Sequence, residues 1–395
     1  MPLHADLPTA SEAALAHSHA VQTMIREQIA AAGGWISFER YMNLALYAPG
    51  MGYYSSGAAK LGNAGDFVTA PEISSLFGRT LAQQVSHMMR QIKSCDLLEF
   101  GAGSGKLALD LLLELEQIGA LPGKYFILEI SGELRQRQQA LLAQTVPHLL
   151  PRIEWLEQLP DQLTGIVLAN EVLDAIPVHL VVWQNDTIFE RGVTWHDTRF
   201  AWQDRPIQDE ALHAAANRLL RLINPDNTVS FHYVSEINLA ATGFIRSLSK
   251  LLRQGVILLL DYGFGEREYY HPQRNQGTVM CHYRHRSHGD PFFLPGLQDI
   301  TSHVDFSAIA HTAVDNGLQF LGFTTQAHFL INCGITDILA RTPATDPQHY
   351  LPLSNQLQKL ISPAEMGELF KVIAVGKDCS EPLSGFCGGD MSRLL

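Results

Sequence analysis

Residues 97–112 read LLEFGAGSGKLALDLL, and no other stretch limits the possible folds as much. An apolar run carrying one acid, Leu97 to Phe100, enters a glycine cluster at Gly101, Gly103 and Gly105. A helical pattern of Leu107, Leu109, Leu111, Leu112 and Leu113 leaves it. Strand, tight turn and helix in that order open a strand–helix alternation. A helix over 106–118, a strand over 125–130, a helix over 133–142 and a strand over 166–169 follow. Alternation of this kind implies a parallel sheet in an α/β fold.

Three kinds of ligand use a strand–glycine–helix turn: nucleoside triphosphates, dinucleotides and S-adenosylmethionine. A phosphate loop needs four residues between its glycines and a Ser or Thr after its lysine. Gly101 and Gly105 enclose three residues, and Lys106 is followed by Leu107. A dinucleotide fingerprint needs glycine where Lys106 stands. What remains is acid-x-G-x-G-x-G, with Glu99 as the acid and Ala102 inside the loop. Glycines there let the backbone pass close to a ligand. A plain strand-to-helix turn requiring positive φ is the alternative.

Two further strand ends bear on the choice. YFILEIS carries Glu129, followed by Ile130, where a carboxylate can accept both hydroxyl hydrogens of a ribose. GIVLANEVLDAIPV ends its apolar run at Asn170 and Glu171, with Asp174 beyond. Ligands of open α/β sheets lie at such carboxyl ends, so this pair belongs beside the reactive end of a bound cofactor. Upstream, Thr69-x-x-Glu72 with Pro71 reads as a capping box that starts a helix through residue 89.

The ordered blocks GDFVTAPEISSLFG, LLEFGAGSG, YFILEIS, LANEVLDAIPV, SEIN, LLLDYGFG, GTVMCHYRHR, DITSHVDFSAI and MGELFKVIAVGK lie between residues 65 and 377 and carry a resemblance that extends over about residues 25–377. In them the chain resembles the MidA-like methyltransferases, relatives of the mitochondrial complex I assembly-factor arginine methyltransferase. The resemblance implies a class I, Rossmann-like, mostly parallel sheet with an N-terminal helical region and an inserted substrate lobe. It implies S-adenosyl-L-methionine as cofactor, held by Thr69, Glu99, Gly101, Ala102, Gly103, Gly105, Glu129, Ile130, Asn170 and Glu171. It also implies a protein substrate, in the mitochondrial relative a respiratory complex subunit methylated on arginine. NEVL matches the start of the double-glutamate loop of arginine methyltransferases through Glu171, but the second glutamate has no counterpart. Asp174 and Glu236 are the candidate partners, and Asp261 stands in reserve.

An arginine nucleophile stays protonated near neutrality, so carboxylates must orient it and receive its proton. Asp174 also suits a helix cap, and Glu236 a supporting hydrogen bond. A small-molecule methyltransferase and a cofactor-binding assembly factor that mainly holds a partner are the competing readings. Cys281, His282, His285 and His288 lack the spacing of a structural zinc site, and Arg284 and Arg286 oppose a cation; no metal is expected.

The 395 residues are 46% hydrophobic and carry a formal charge of −12, which disfavours nucleic acid as partner and suits a basic protein. Five scattered cysteines without a CxxC pair, and no apolar run of membrane-spanning length, lead us to expect a cytoplasmic protein, monomeric or homodimeric. The expected organisation is N-terminal helices and a cofactor-covering loop (1–94) and the first half of the cofactor-binding core (95–185). An inserted α/β lobe (186–254), the second half of the core with an Arg/His-rich loop (255–377) and a loosely held tail (378–395) follow. The insert opens on a hairpin with its turn at Asn185–Asp186.

Overall fold

The computed structural model describes residues 7–56, 69–185, 187–226, 231–379 and 381–395. The chain forms two compact units, each assembled from separated segments. One comprises residues 1–67, 174–243 and 265–305; the other comprises 68–173, 244–264 and 306–395. The first two helices, residues 186–243 of the insert and the Arg/His-rich segment thus share one unit, whereas residues 75–91 and 244–254 fall in the other.

The second unit is built on an open sheet. In chain order its elements are α1 (Ser75–Gln91), β1 (Asp96–Phe100), α2 (Lys106–Gln117), β2 (Tyr125–Leu128), α3 (Gly132–Thr145), β3 (Ile153–Leu156) and β4 (Leu163–Asn170). β5 (Leu252–Phe264), α4 (Phe306–Asp315), β6 (Gln319–Thr325) and β7 (Phe370–Lys377) complete the sheet layer. The strand order is 3-2-1-4-5-7-6. Strands β1 to β5 are mutually parallel, and β7 runs antiparallel between β5 and β6. The order reverses between β1 and β4, so a topological switch point lies at their carboxyl ends, after Phe100 and Asn170. Apolar runs such as Val256 to Leu260 are buried throughout, as a sheet covered on both faces requires. Helices α1 and α2 approach closely at Gly78, where an added Cβ would lie 2.6 Å from the Asp110 Cβ.

The first unit pairs antiparallel strands. Thr187–His196 lies between His179–Gln184 and Arg199–Pro206, His232–Ile237 extends the sheet, and Ile36–Ser37 joins at Val193. The expected hairpin is present, although Asp186 lies outside the described residues. Helices Glu12–Ala31 and Phe38–Tyr47, capped by Ser11 and Ser37, contribute Ile25, Ile29, Phe38, Tyr41 and Met42 to its core. The segment expected as an Arg/His-rich loop contains strands Met280–Tyr283 and Arg286–His288. Their turn residues Arg284 and His285 adopt φ +48° and +62°, a conformation that sequence reading assigns to Asn and Gly. No helix among the described residues is long and apolar enough to cross a membrane.

The tail departs from expectation. Leu383 and Gly385 are buried. The Gly385 N–H donates to the Gln84 Oε1 at 2.7 Å, the Asn332 amide donates to the Gly385 and Gly388 carbonyls, and the Met391 N–H donates to the Phe323 carbonyl. Backbone groups that find partners on three elements hold the segment down despite its glycines.

Candidate functional site

The glycine turn occupies the carboxyl end of β1. Gly101, Gly103 and Gly105 adopt φ +60°, +56° and +85°. Gly105 is the left-handed N-cap of α2, and a Cβ there would sit 3.1 to 3.2 Å from the Cγ and Cα of Gln138 on α3. Glycine is therefore required twice at that position, by backbone conformation and by the approach of α3. Gly101 is exposed and Ala102 is buried beneath it.

The turn does not suit a phosphate. Lys106 is committed to Asp110, Nζ to Oδ2 at 3.0 Å. The Ser104 hydroxyl donates to the Glu72 carboxylate, which sets a negative group against the loop. This contact also revises the capping box. Thr69 occupies the N-cap position of Ala70–Ile73 without a side-chain hydrogen bond. The chain is extended at Ser74, which caps α1 through the Leu76 N–H at 3.2 Å. The helix expected through residue 89 is thus two helices, and Glu72 is drawn to Ser104 instead of its own helix start. Phe67 and Val68, expected in the covering loop, lie outside the described residues.

The acids at the strand ends occupy different environments. Glu99 is buried in β1 and accepts the Tyr125 hydroxyl at 2.7 Å. Burial pushes its carboxyl up to about 7, the Tyr125 hydrogen bond opposes this, and the nearby negative charge of Glu129 adds to it. Glu129 follows β2 and is half-buried. Its Oε1 accepts the Ser131 N–H at 2.9 Å and its Oε2 accepts the Gln138 amide at 3.1 Å. Ile130, next in the chain, is 61% exposed, an apolar side chain open beside a fixed carboxylate.

Across the switch point, Asn170 closes β4 and Glu171 stands just past it. Glu171 adopts φ +54°, uncommon for a residue with a side chain and costing of order 1–3 kcal/mol. Its N–H is tied to the Leu260 carbonyl of β5 at 2.9 Å. Its Oε1 accepts the Asn170 amide at 3.0 Å and the Ala70 N–H at 3.4 Å. Asp261, buried in β5, accepts the Val172 and Leu173 N–H groups at 3.2 and 2.9 Å and so fixes the turn that follows Glu171. An acid inside LLLDYGFG was the sequence signal for that role.

The other two expected catalytic carboxylates belong to the first unit. Asp174 is buried, and its carbonyl accepts the Ser302 N–H at 2.9 Å. Glu236 is 1% exposed and clamps a turn. Its Oε1 accepts the Thr278 and Val279 N–H groups at 2.6 and 2.8 Å, and its Oε2 accepts the Tyr269 and Ser235 hydroxyls at 3.1 and 3.2 Å. Four donors on one buried carboxylate describe a structural anchor. Among the described residues, no group of three or more His, Cys, Asp or Glu could hold a metal ion.

Comparison with known proteins bears on this geometry. A family model described as "Putative S-adenosyl-L-methionine-dependent methyltransferase" matches residues 76–324. The chain is 31% identical over 376 residues to "Protein arginine methyltransferase NDUFAF7, mitochondrial" of Danio rerio, covering 87% of this chain and 84% of that protein. Identity to the Homo sapiens protein of the same name is 28% over 376 residues, covering 87% and 80%. A crystal structure of a Burkholderia thailandensis protein bound to S-adenosyl-homocysteine is 49% identical and has a TM-score of 0.94, covering 99% of this chain and 100% of that one.

Proposed function

Because the chain belongs to this family of S-adenosyl-L-methionine-dependent methyltransferases, we propose that it methylates an arginine side chain of a protein substrate, with Glu171 as the carboxylate that holds the guanidinium. The cofactor is S-adenosyl-L-methionine, which supplies a methyl group on a positively charged sulfur. Its acceptor must be aligned in a site that excludes water. The residues at the switch point fit that cofactor. A glycine turn with positive φ offers backbone close to a ligand, Glu129 offers an oriented carboxylate for ribose hydroxyls, and Ile130 offers an apolar surface for a base. Lys106 and Ser104 are both turned to carboxylates, which suits a ligand without phosphate.

The observation that carries the arginine reading is the backbone of Glu171. A left-handed glutamate at a strand end persists because β5 and the Asp261-fixed turn hold it there. A carboxylate so fixed can bias the guanidinium charge toward one nitrogen and receive the proton released by the other. The relatives named as protein arginine methyltransferases support the same substrate class. In this reading Glu236 anchors structure, and Glu171 bears the contact with substrate.

The test is radiolabelled methyl transfer into a lysate from cells that lack the protein, with wild type and Glu171→Gln, followed by identification of the labelled species. Methylated arginine in a protein is expected, with transfer by Glu171→Gln lower by about 10²- to 10⁴-fold and cofactor affinity nearly unchanged. Label in a small molecule would transfer the assignment to a small-molecule methyltransferase. Full activity of Glu171→Gln would remove that residue from the mechanism.

A further inference from the structure

Gln138 of α3 belongs to no motif, yet it is fully buried and every polar atom of its side chain is engaged. Its amide nitrogen donates to the Gly103 carbonyl at 2.9 Å and to the Glu129 Oε2 at 3.1 Å. Its amide oxygen accepts the Trp155 indole N–H at 2.9 Å. The indole is a donor only, and the Gly103 carbonyl and the Glu129 carboxylate are acceptors. Only one orientation of the amide satisfies all three, so the side chain is locked. Its stem also packs against Gly105, the last glycine of the turn.

We propose that Gln138 is a positioning residue for cofactor binding. It couples the glycine turn after β1 to the carboxylate after β2 and sets the direction in which Glu129 presents its oxygens. Trp155 of β3 holds the amide in that role. The inference rests on the reading that Glu129 receives the ribose hydroxyls. One amide serves two walls of the site, so its loss releases both at once. A buried glutamine that only filled space would affect stability without changing how the protein distinguishes one ribose from another.

The test measures calorimetric affinity for S-adenosyl-homocysteine and for its 2′-deoxy analogue, using wild type, Gln138→Met and Trp155→Phe. Methionine keeps the length of the side chain and removes both the carbonyl and the NH2 of the amide. Phenylalanine keeps a ring and removes the indole N–H, and serves if Gln138→Met does not fold. Wild type is expected to bind the deoxy analogue about 10-fold or more weakly, the scale of losing a hydrogen bond to a charged group. Gln138→Met is expected to lose about 10-fold in affinity for S-adenosyl-homocysteine and most of the preference over the deoxy analogue. Trp155→Phe is expected to shift both quantities in the same direction by a smaller factor. In turnover assays the change should fall on KM for the cofactor, with kcat at saturation retained. If wild type prefers S-adenosyl-homocysteine and the folded variants keep that preference in full, the role of Gln138 is overturned while that of Glu129 stands. If wild type shows no preference, the ribose role of Glu129 fails and the inference fails with it.

Discussion

Replacing Glu99 by glutamine removes a carboxyl that is buried inside a parallel sheet, and the consequence is set by three neighbouring influences. Burial disfavours its ionised form most strongly, the Tyr125 hydroxyl at 2.7 Å favours it, and Glu129 disfavours it again. The balance leaves the folded carboxyl titrating at about 7, against an ordinary 4.5. Below pH 4.5 the group is protonated in both folded and unfolded chains, and its titration costs the fold nothing. As pH rises toward 7 the unfolded chain ionises while the folded chain keeps its proton, so stability falls. Above pH 7 both forms are ionised and the loss is complete. At about 1.4 kcal/mol for each pH unit of difference, the loss amounts to about 3 kcal/mol. The measurement is urea unfolding of the cofactor-free protein between pH 4.5 and 8, for wild type and Glu99→Gln. The difference in unfolding free energy between the two should change by about 3 kcal/mol across that range, with wild type losing ground as pH rises. Tyr125→Phe, which removes the hydroxyl that favours the carboxylate, should enlarge the change. Parallel curves for wild type and Glu99→Gln would refute the argument.

Glu236→Ala should lower the urea midpoint by an amount equivalent to about 2–4 kcal/mol, because it leaves the buried Thr278 N–H and the part-buried Val279 N–H without their acceptor. An unchanged midpoint with methyl transfer abolished would return Glu236 to the list of catalytic carboxylates. Calorimetry with ATP and Mg²⁺ should show no saturable binding, since Lys106 is held by Asp110 and Ser104 by Glu72. Micromolar binding that disappears in Lys106→Ala would reverse that conclusion.

The parts legible in the sequence were those where one local rule acts alone. Positive φ at three glycines, buried apolar strands and an acid at the end of each of two strands were all readable from residues 97–171. Glu236 shows where such reading stops. A motif containing glutamate indicates that a carboxylate matters, but the four donors that surround it come from residues 235 to 279, and only the fold brings them together. Thr69 and Glu72 satisfied the pattern of a capping box, yet Thr69 makes no side-chain cap and Glu72 accepts from Ser104, 32 residues away. Gln138 gave no signal, because glutamine on a polar helix is ordinary and its three partners lie in the glycine turn, after β2 and in β3.

The place of β7 in the sheet has a consequence for the chain as it is made. Strands β4 and β5 pair along eight registered positions although more than eighty residues separate them, and the long loop between them must close first. The gap between β5 and β6 is filled last, by a strand that begins at Phe370. Until that strand emerges, residues 255–262 of β5 present an apolar backbone edge with its hydrogen-bonding groups open. An edge of that length is a template for pairing between chains. A polypeptide ending short of residue 370 would retain the glycine turn, Glu129 and Glu171, and would be expected to aggregate through β5. Synthesis through residue 377 is thus the condition for closing the β5 edge of a sheet whose ligand-facing end was encoded long before.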